Sequence, residues 1–106
     1  MDGNSNWLDL CVRACSLLAD RKEIWRKFGN LRPWVEIQRD DQGVWHGAVL
    51  TDSGFGKEFV FGFRGYDRDE VLQALASKVV WCITGVRGTL LPSYEELDLE
   101  LSSFGY

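Results

Sequence analysis

The residues whose types could make or break bonds are one histidine, three cysteines, a few glycine-bearing loops and some closely spaced carboxylates. His46 could serve as a general base or a metal ligand. Either role needs a supporting Ser, Cys or carboxylate, and the sequence offers none at a matching position. Cys11 and Cys15, four apart on one helix face, could ligate zinc with Cys82 or His46. Structural zinc sites join two such pairs, and no second pair exists, so these read as small buried residues of a helix stripe. Gly54-Phe55-Gly56-Lys57 and Gly62–Gly65 lack the strand, Lys-Ser/Thr and helix context of a phosphate loop and read as hairpin turns. Asp40-Asp41 and Asp67–Asp69 fall where turns and helix caps use Asp anyway. The expectation is a non-enzyme with no cofactor and no metal.

Binding chemistry is better represented. Arg13, Arg21, Lys22, Arg26, Lys27 and Arg32 form a basic N-terminal helix, with Trp25, Phe28 and Trp34 near enough to stack on bases. Across the chain, 12 basic against 16 acidic residues give a net charge of -4. Phosphate neutralisation supplies most non-specific affinity for nucleic acid, so direct nucleic-acid binding through this helix is the alternative and not the leading reading. The charge is also divided: residues 13–39 hold seven basic and three acidic groups, residues 40–106 five basic and eleven acidic. A polarised molecule of this kind suits association with a partner or internal pairing.

The elements that must position these groups follow from periodicity. Asn6 with Asp9 opens a helix whose apolar residues run Trp7, Leu10, Cys11, Ala14, Leu17, Leu18, Ile24, Trp25 and Phe28, stopped by Gly29-Asn30. One long helix is the preferred reading; Asp20 with Glu23 allows two helices kinked near Asp20. Three strands follow, 34–39, 44–50 and 57–63, joined by short Asp- and Gly-rich turns as an antiparallel meander. Asp67-Arg68-Asp69-Glu70 caps a second helix along Val71, Leu75, Val79 and Cys82. Ser93 with Glu96 favours a short C-terminal helix over the strand that Leu97-Asp98-Leu99-Glu100-Leu101 would also fit. The expected fold is α+β, in the order α-β-β-β-α-α. It is read as a single domain over 1–106, with a lead-in over 1–6 and an acidic C-terminal segment over 86–106. Reduced cysteines, no leader pattern and no apolar run near the ~20 residues of a membrane span place it in the cytoplasm, the host's if the chain is phage-encoded.

Loop lengths set the strand register. With Asp40–Gly43 as a four-residue loop, Ile37 opposes His46 and Val35 opposes Ala48. With Thr51–Gly56 as the second, Leu50 opposes Lys57 and Ala48 opposes Phe59. Opposed residues share a face. Val35, Ile37, Val44, Ala48, Leu50, Phe59, Phe61 and Phe63 then form the core side with His46. Trp34, Glu36, Gln38, Trp45, Gly47, Val49, Glu58, Val60 and Gly62 form the outer side, with Trp45 across from Gly62.

The helix, three-strand, helix order over residues 7–84 resembles the double-stranded RNA-binding domain in topology. That family grips phosphates with lysines at the start of its second helix, where this chain has Asp67, Arg68, Asp69 and Glu70, so the likeness implies the fold without the chemistry. Residues 34–83, with Asp-Gly-type turns and the step Gly65-Tyr66-Asp67-Arg68-Asp69-Glu70, are similar in layout to the HicB family of antitoxins. That implies an antitoxin-type regulator. In general character (small, acidic, without an active site) the chain resembles the anti-CRISPR proteins of phages and mobile elements, which act by occupying a partner's surface.

The leading functional expectation is therefore a protein-binding inhibitor or accessory factor, directed at a protein partner such as a nucleic-acid-binding complex. No membrane is involved, and a homodimer is compatible with the sequence. Its expected contact residues are Trp34, Trp45, Val49 and Val60 on the outer sheet face, with Glu95, Glu96, Asp98 and Glu100 on the acidic tail; Trp is enriched among residues that dominate binding energy.

Overall fold

The computed structural model describes residues 6–20, 33–52, 56–84 and 93–103. They form α1 (Trp7–Ala19), β1 (Trp34–Arg39), β2 (Trp45–Asp52), β3 (Lys57–Gly65), α2 (Arg68–Thr84) and α3 (Tyr94–Ser102). This is the expected α+β order. No helix among the described residues is long and apolar enough to cross a membrane.

Each helix starts on a side chain that satisfies a free backbone N–H. Asn6 Oδ1 accepts from Asp9 N at 3.0 Å and Asp67 Oδ1 from Asp69 N at 3.0 Å. Ser93 and Glu96 complete a reciprocal capping box. α1 ends at Ala19 with Asp20 as its C-cap, so the single long helix is replaced by a stop at the kink position. The rest of that pattern, residues 21–32, lies outside the described residues. The C-terminal segment is helical, and its burial shows why. Leu97 and Leu101, four apart, are buried, while Leu99 between them is 71% exposed. A strand would have placed all three on one face.

The sheet is antiparallel in the order β1-β2-β3. α1 and α2 lie over one of its faces, and α3 packs against both helices. Leu10, Ala14 and Leu17 of α1 and Leu72, Leu75 and Ala76 of α2 belong to one buried cluster that includes Val49 of β2. Cys11 Sγ donates to the Leu72 carbonyl at 3.0 Å, joining α1 to the first turns of α2. Trp7 meets Tyr94 edge to face, with ring centroids 5.2 Å apart, and Arg13 pairs with Asp98 at 2.8 Å. Leu97 and Leu101 are buried against that side, each burial stabilising by roughly 2 kcal/mol.

The strand register differs from the expectation by one residue, which exchanges faces. Asp40 N donates to Val44 O at 2.9 Å, so Asp40 and Val44 are paired and the loop is only Asp41-Gln42-Gly43. Gly43 takes φ +83°, the left-handed conformation this three-residue loop needs at its last position. Ile37 consequently opposes Gly47, and Val35 opposes Val49. In the second hairpin Asp52 pairs with Lys57, so both strands run further than expected. A bulge follows: Leu50 opposes Phe59 but Val49 opposes Phe61, leaving Val60 extra. Val35, Ile37, Trp45, Val60 and Phe61 pack against the helical core, and Val49 is fully buried. Ala48, Leu50, Phe59 and His46, expected inside, alternate to the other face.

Two core positions carry measurable consequences. A Cβ on Gly47 would sit 2.8 Å from both Val71 Cγ1 and Leu75 Cδ1, so only glycine allows α2 to lie this close to β2. Gly47→Ala is expected to lower stability by about 1–3 kcal/mol in urea unfolding through overpacking; an unchanged midpoint would contradict the close approach. Thr51 is 1% exposed, and its Oγ1 finds no hydrogen-bond partner among the described residues. Thr51→Val is expected to raise stability by about 1 kcal/mol, because it removes a desolvated hydroxyl.

Candidate functional site

The face of the sheet opposite α1 and α2 is built in three rows by the pairing. Trp34, Leu50 and Phe59 make an apolar row. Glu36, Ala48 and Gly62 make a row of small residues with one carboxylate. Gln38, His46 and Arg64 make a polar row. None of the described helices covers this face, and an open groove of about 690 Å³ runs over it, between Phe59 and Leu50 at one end and His46 and Arg64 at the other. Phe59 is 68% exposed. Its ring lies along β3 above Gly62, where a Cβ would come within 3.0 Å of Cε1. The bare backbone at Gly62 is what lets the ring lie flat on the face.

Charged groups on the face are mostly tied internally. Glu36 accepts from Trp34 Nε1 at 2.9 Å and from Lys57 Nζ at 3.1 Å, and these partners, the indole first, hold its carboxyl below the usual range. Asp40, at the head of the β1–β2 turn, has more donors. His46 Nε2 lies 2.9 Å from Oδ2, and Oδ1 accepts from Gln42 N and Val44 N at 2.8 and 3.0 Å. The contact with His46, followed by the backbone donors, lowers its pKa to about 2. Among the described residues no carboxylate pairs with Arg64.

The expected contact residues divide. Trp34 is on the open face, half-buried. Trp45 is not; it faces the helices, paired with Gly65 instead of Gly62. Val49 has no surface to present, and Val60 packs against the core at the bulge. The acidic residues of α3 sit on the helical side of the molecule, away from the open face. Of these, Glu96 is held in the helix cap and Asp98 by Arg13, while Glu95 and Glu100 are exposed. Of the basic alternative, Arg13 is paired with Asp98; Arg21, Lys22, Arg26, Lys27 and Arg32 lie outside the described residues. Leu50 enters the site because the β1–β2 register differs by one residue, Phe59 because of the bulge, and Arg64 because β3 runs on past residue 63.

Groups with reactive chemistry are kept apart. Cys11 and Cys15 are buried in the helical core, and that burial pushes both thiols up to about 12, far from a nucleophilic thiolate. His46 is on the other side of the sheet, with Asp40 as its neighbour. A His–Asp pair orients an imidazole, and no described serine or cysteine hydroxyl or thiol lies within hydrogen-bond distance of it.

No protein-family model, no curated protein and no solved structure matches the chain.

Asp40 yields a pH prediction. Its folded pKa lies below the unfolded value of about 3.9, so its contribution to stability is complete above pH ~4 and is lost as pH falls toward 2. NMR should show the Asp40 carboxyl titrating near 2, and wild type should lose more stability than Asp40→Asn over that interval. Equal losses would remove the turn's dependence on the carboxylate.

Proposed function

We propose that this protein is a non-enzymatic binding module that acts by occupying the surface of a protein partner with the open face of its sheet. In this reading it is an inhibitor or accessory factor. The observation that carries the reading is Phe59, a large aromatic ring exposed on a sheet face that no described helix covers. Exposing such a ring forgoes the burial that would stabilise it in a core, and apolar surface rimmed by polar groups is the usual character of an interaction site. Leu50 and Trp34 extend the patch, and Glu36, Gln38, His46 and Arg64 follow beside it along the strands, so one face offers apolar and polar contacts side by side.

The test compares wild type with Phe59→Glu as bait in quantitative affinity purification from the source cells. The variant's melting temperature should match wild type, since the ring is outside the core. The partner retained by wild type should fall at least tenfold with Phe59→Glu, as for a residue worth more than about 1.4 kcal/mol. Retention of the same partner by the folded variant would remove the open face from the interaction. A partner released by moderate salt and by nuclease would instead favour nucleic-acid binding.

A further inference from the structure

The open face also defines what kind of partner fits it, an inference that rests on the binding reading above. We propose that the occupant is an amphipathic α-helix of a partner protein, one that brings an apolar side chain to Phe59 and Leu50 and a carboxylate to Arg64.

Shape comes first. Three strands about 4.8 Å apart make a face about 10 Å wide, matching the diameter of one α-helix with its side chains. On the central strand Ala48 stands between Leu50 and His46, so a helix lying along β2 meets little side-chain bulk at its middle. A single strand would join an edge through backbone hydrogen bonds, whereas a face offers side chains alone, and a face only three strands wide suits one packed helix. α2 already packs in this way on the opposite side, where Gly47 lets it come close.

Charge comes second. Each carboxylate at the groove has a partner within the chain: Glu36 has Lys57 and Trp34, and Asp40 has His46 and two backbone N–H groups. Arg64 is exposed, lines the groove and pairs with no carboxylate among the described residues. Arg64 is therefore the one charged side chain lining the groove that has no side-chain partner among the described residues, although the whole chain carries -4. A helix that presents a carboxylate there gains a charge-assisted hydrogen bond, and the guanidinium can donate two parallel N–H groups to its oxygens.

Spacing comes third. From the apolar row to the polar row is four residues of β2, about 13 Å. A helix lying along the strands covers about 12 Å in eight residues. The apolar and acidic positions should thus be seven or eight residues apart on one helix face.

The experiment uses the whole protein and a displayed library of 20-residue helical peptides on an Ala/Gln/Lys framework, randomised along one face. Selection on wild type is followed by binding measurements on Phe59→Glu and Arg64→Glu, both checked for an unchanged melting temperature. The expected result is enrichment of Leu or Phe with Glu or Asp seven or eight residues away. Such peptides should lose tenfold or more with either variant, and those with Lys in place of the acidic residue should prefer Arg64→Glu. Enriched peptides that need Phe59 but are basic or neutral at the second position would overturn the carboxylate inference and leave the open-face reading standing. Failure to enrich any peptide whose binding depends on Phe59 would overturn the helix inference, and with partner retention by Phe59→Glu the parent reading falls too. Wild-type self-association in sedimentation velocity, abolished by Phe59→Glu, would make a second copy of this chain the occupant instead.

Discussion

The structure depends on how the chain turns between β1 and β2. Asp40 and Val44 close a three-residue loop, Gly43 adopts the left-handed conformation that ends it, and the Asp40 carboxylate holds two loop amides and His46. The turn sets which residue of β1 opposes which residue of β2. Because strand side chains alternate, it also decides which half of β2 enters the core. With this register Gly47 and Val49 face the helices, and α2 can settle within contact distance of β2. One residue of slip would drive His46 and Ala48 under α2 and expel a fully buried valine.

The bulge at Val60 makes a second selection of the same kind. Without it, Phe59 and Phe61 would share a face. With it, Val60 and Phe61 both pack toward the helices, Phe61 beneath the Lys78 ammonium at 5.6 Å from the ring centroid, while Phe59 is left on the open side. The turn and the bulge together produce a sheet with one face apolar and covered, and another graded from apolar to polar across three rows. The proposed function rests on that asymmetry.

The sequence made some of these features legible and hid others for physical reasons. The helix starts were readable because caps are local: Asn6, Asp67 and Ser93 bond to amides two or three residues away. The C-terminal helix was readable from Ser93 and Glu96 even though its leucines also alternate. The faces of the sheet were not, because they rest on counting one loop residue. Asp40 was counted in the loop, whereas it is the last paired residue of its hairpin; the usable signal was Gly43 as third loop residue, where a left-handed glycine closes a three-residue turn. The bulge has no such local mark. Val60 is β-branched and not glycine, and its displacement follows from packing against helices distant in sequence. For these two reasons Trp45, Val49 and Val60 are not on the open face, whereas Leu50 and Phe59 are.

The register is most directly tested by methyl-to-sheet NOEs in a sample labelled at Val, Leu and Ala methyls. Val71 and Leu75 methyls should show strong NOEs to the Gly47 α-protons, and none to the Ala48 methyl, which should instead contact Phe59 and Leu50. Strong NOEs from Val71 or Leu75 to Ala48 or to the His46 ring would mean that β2 presents its other side to the helices, and the open face described here would not exist.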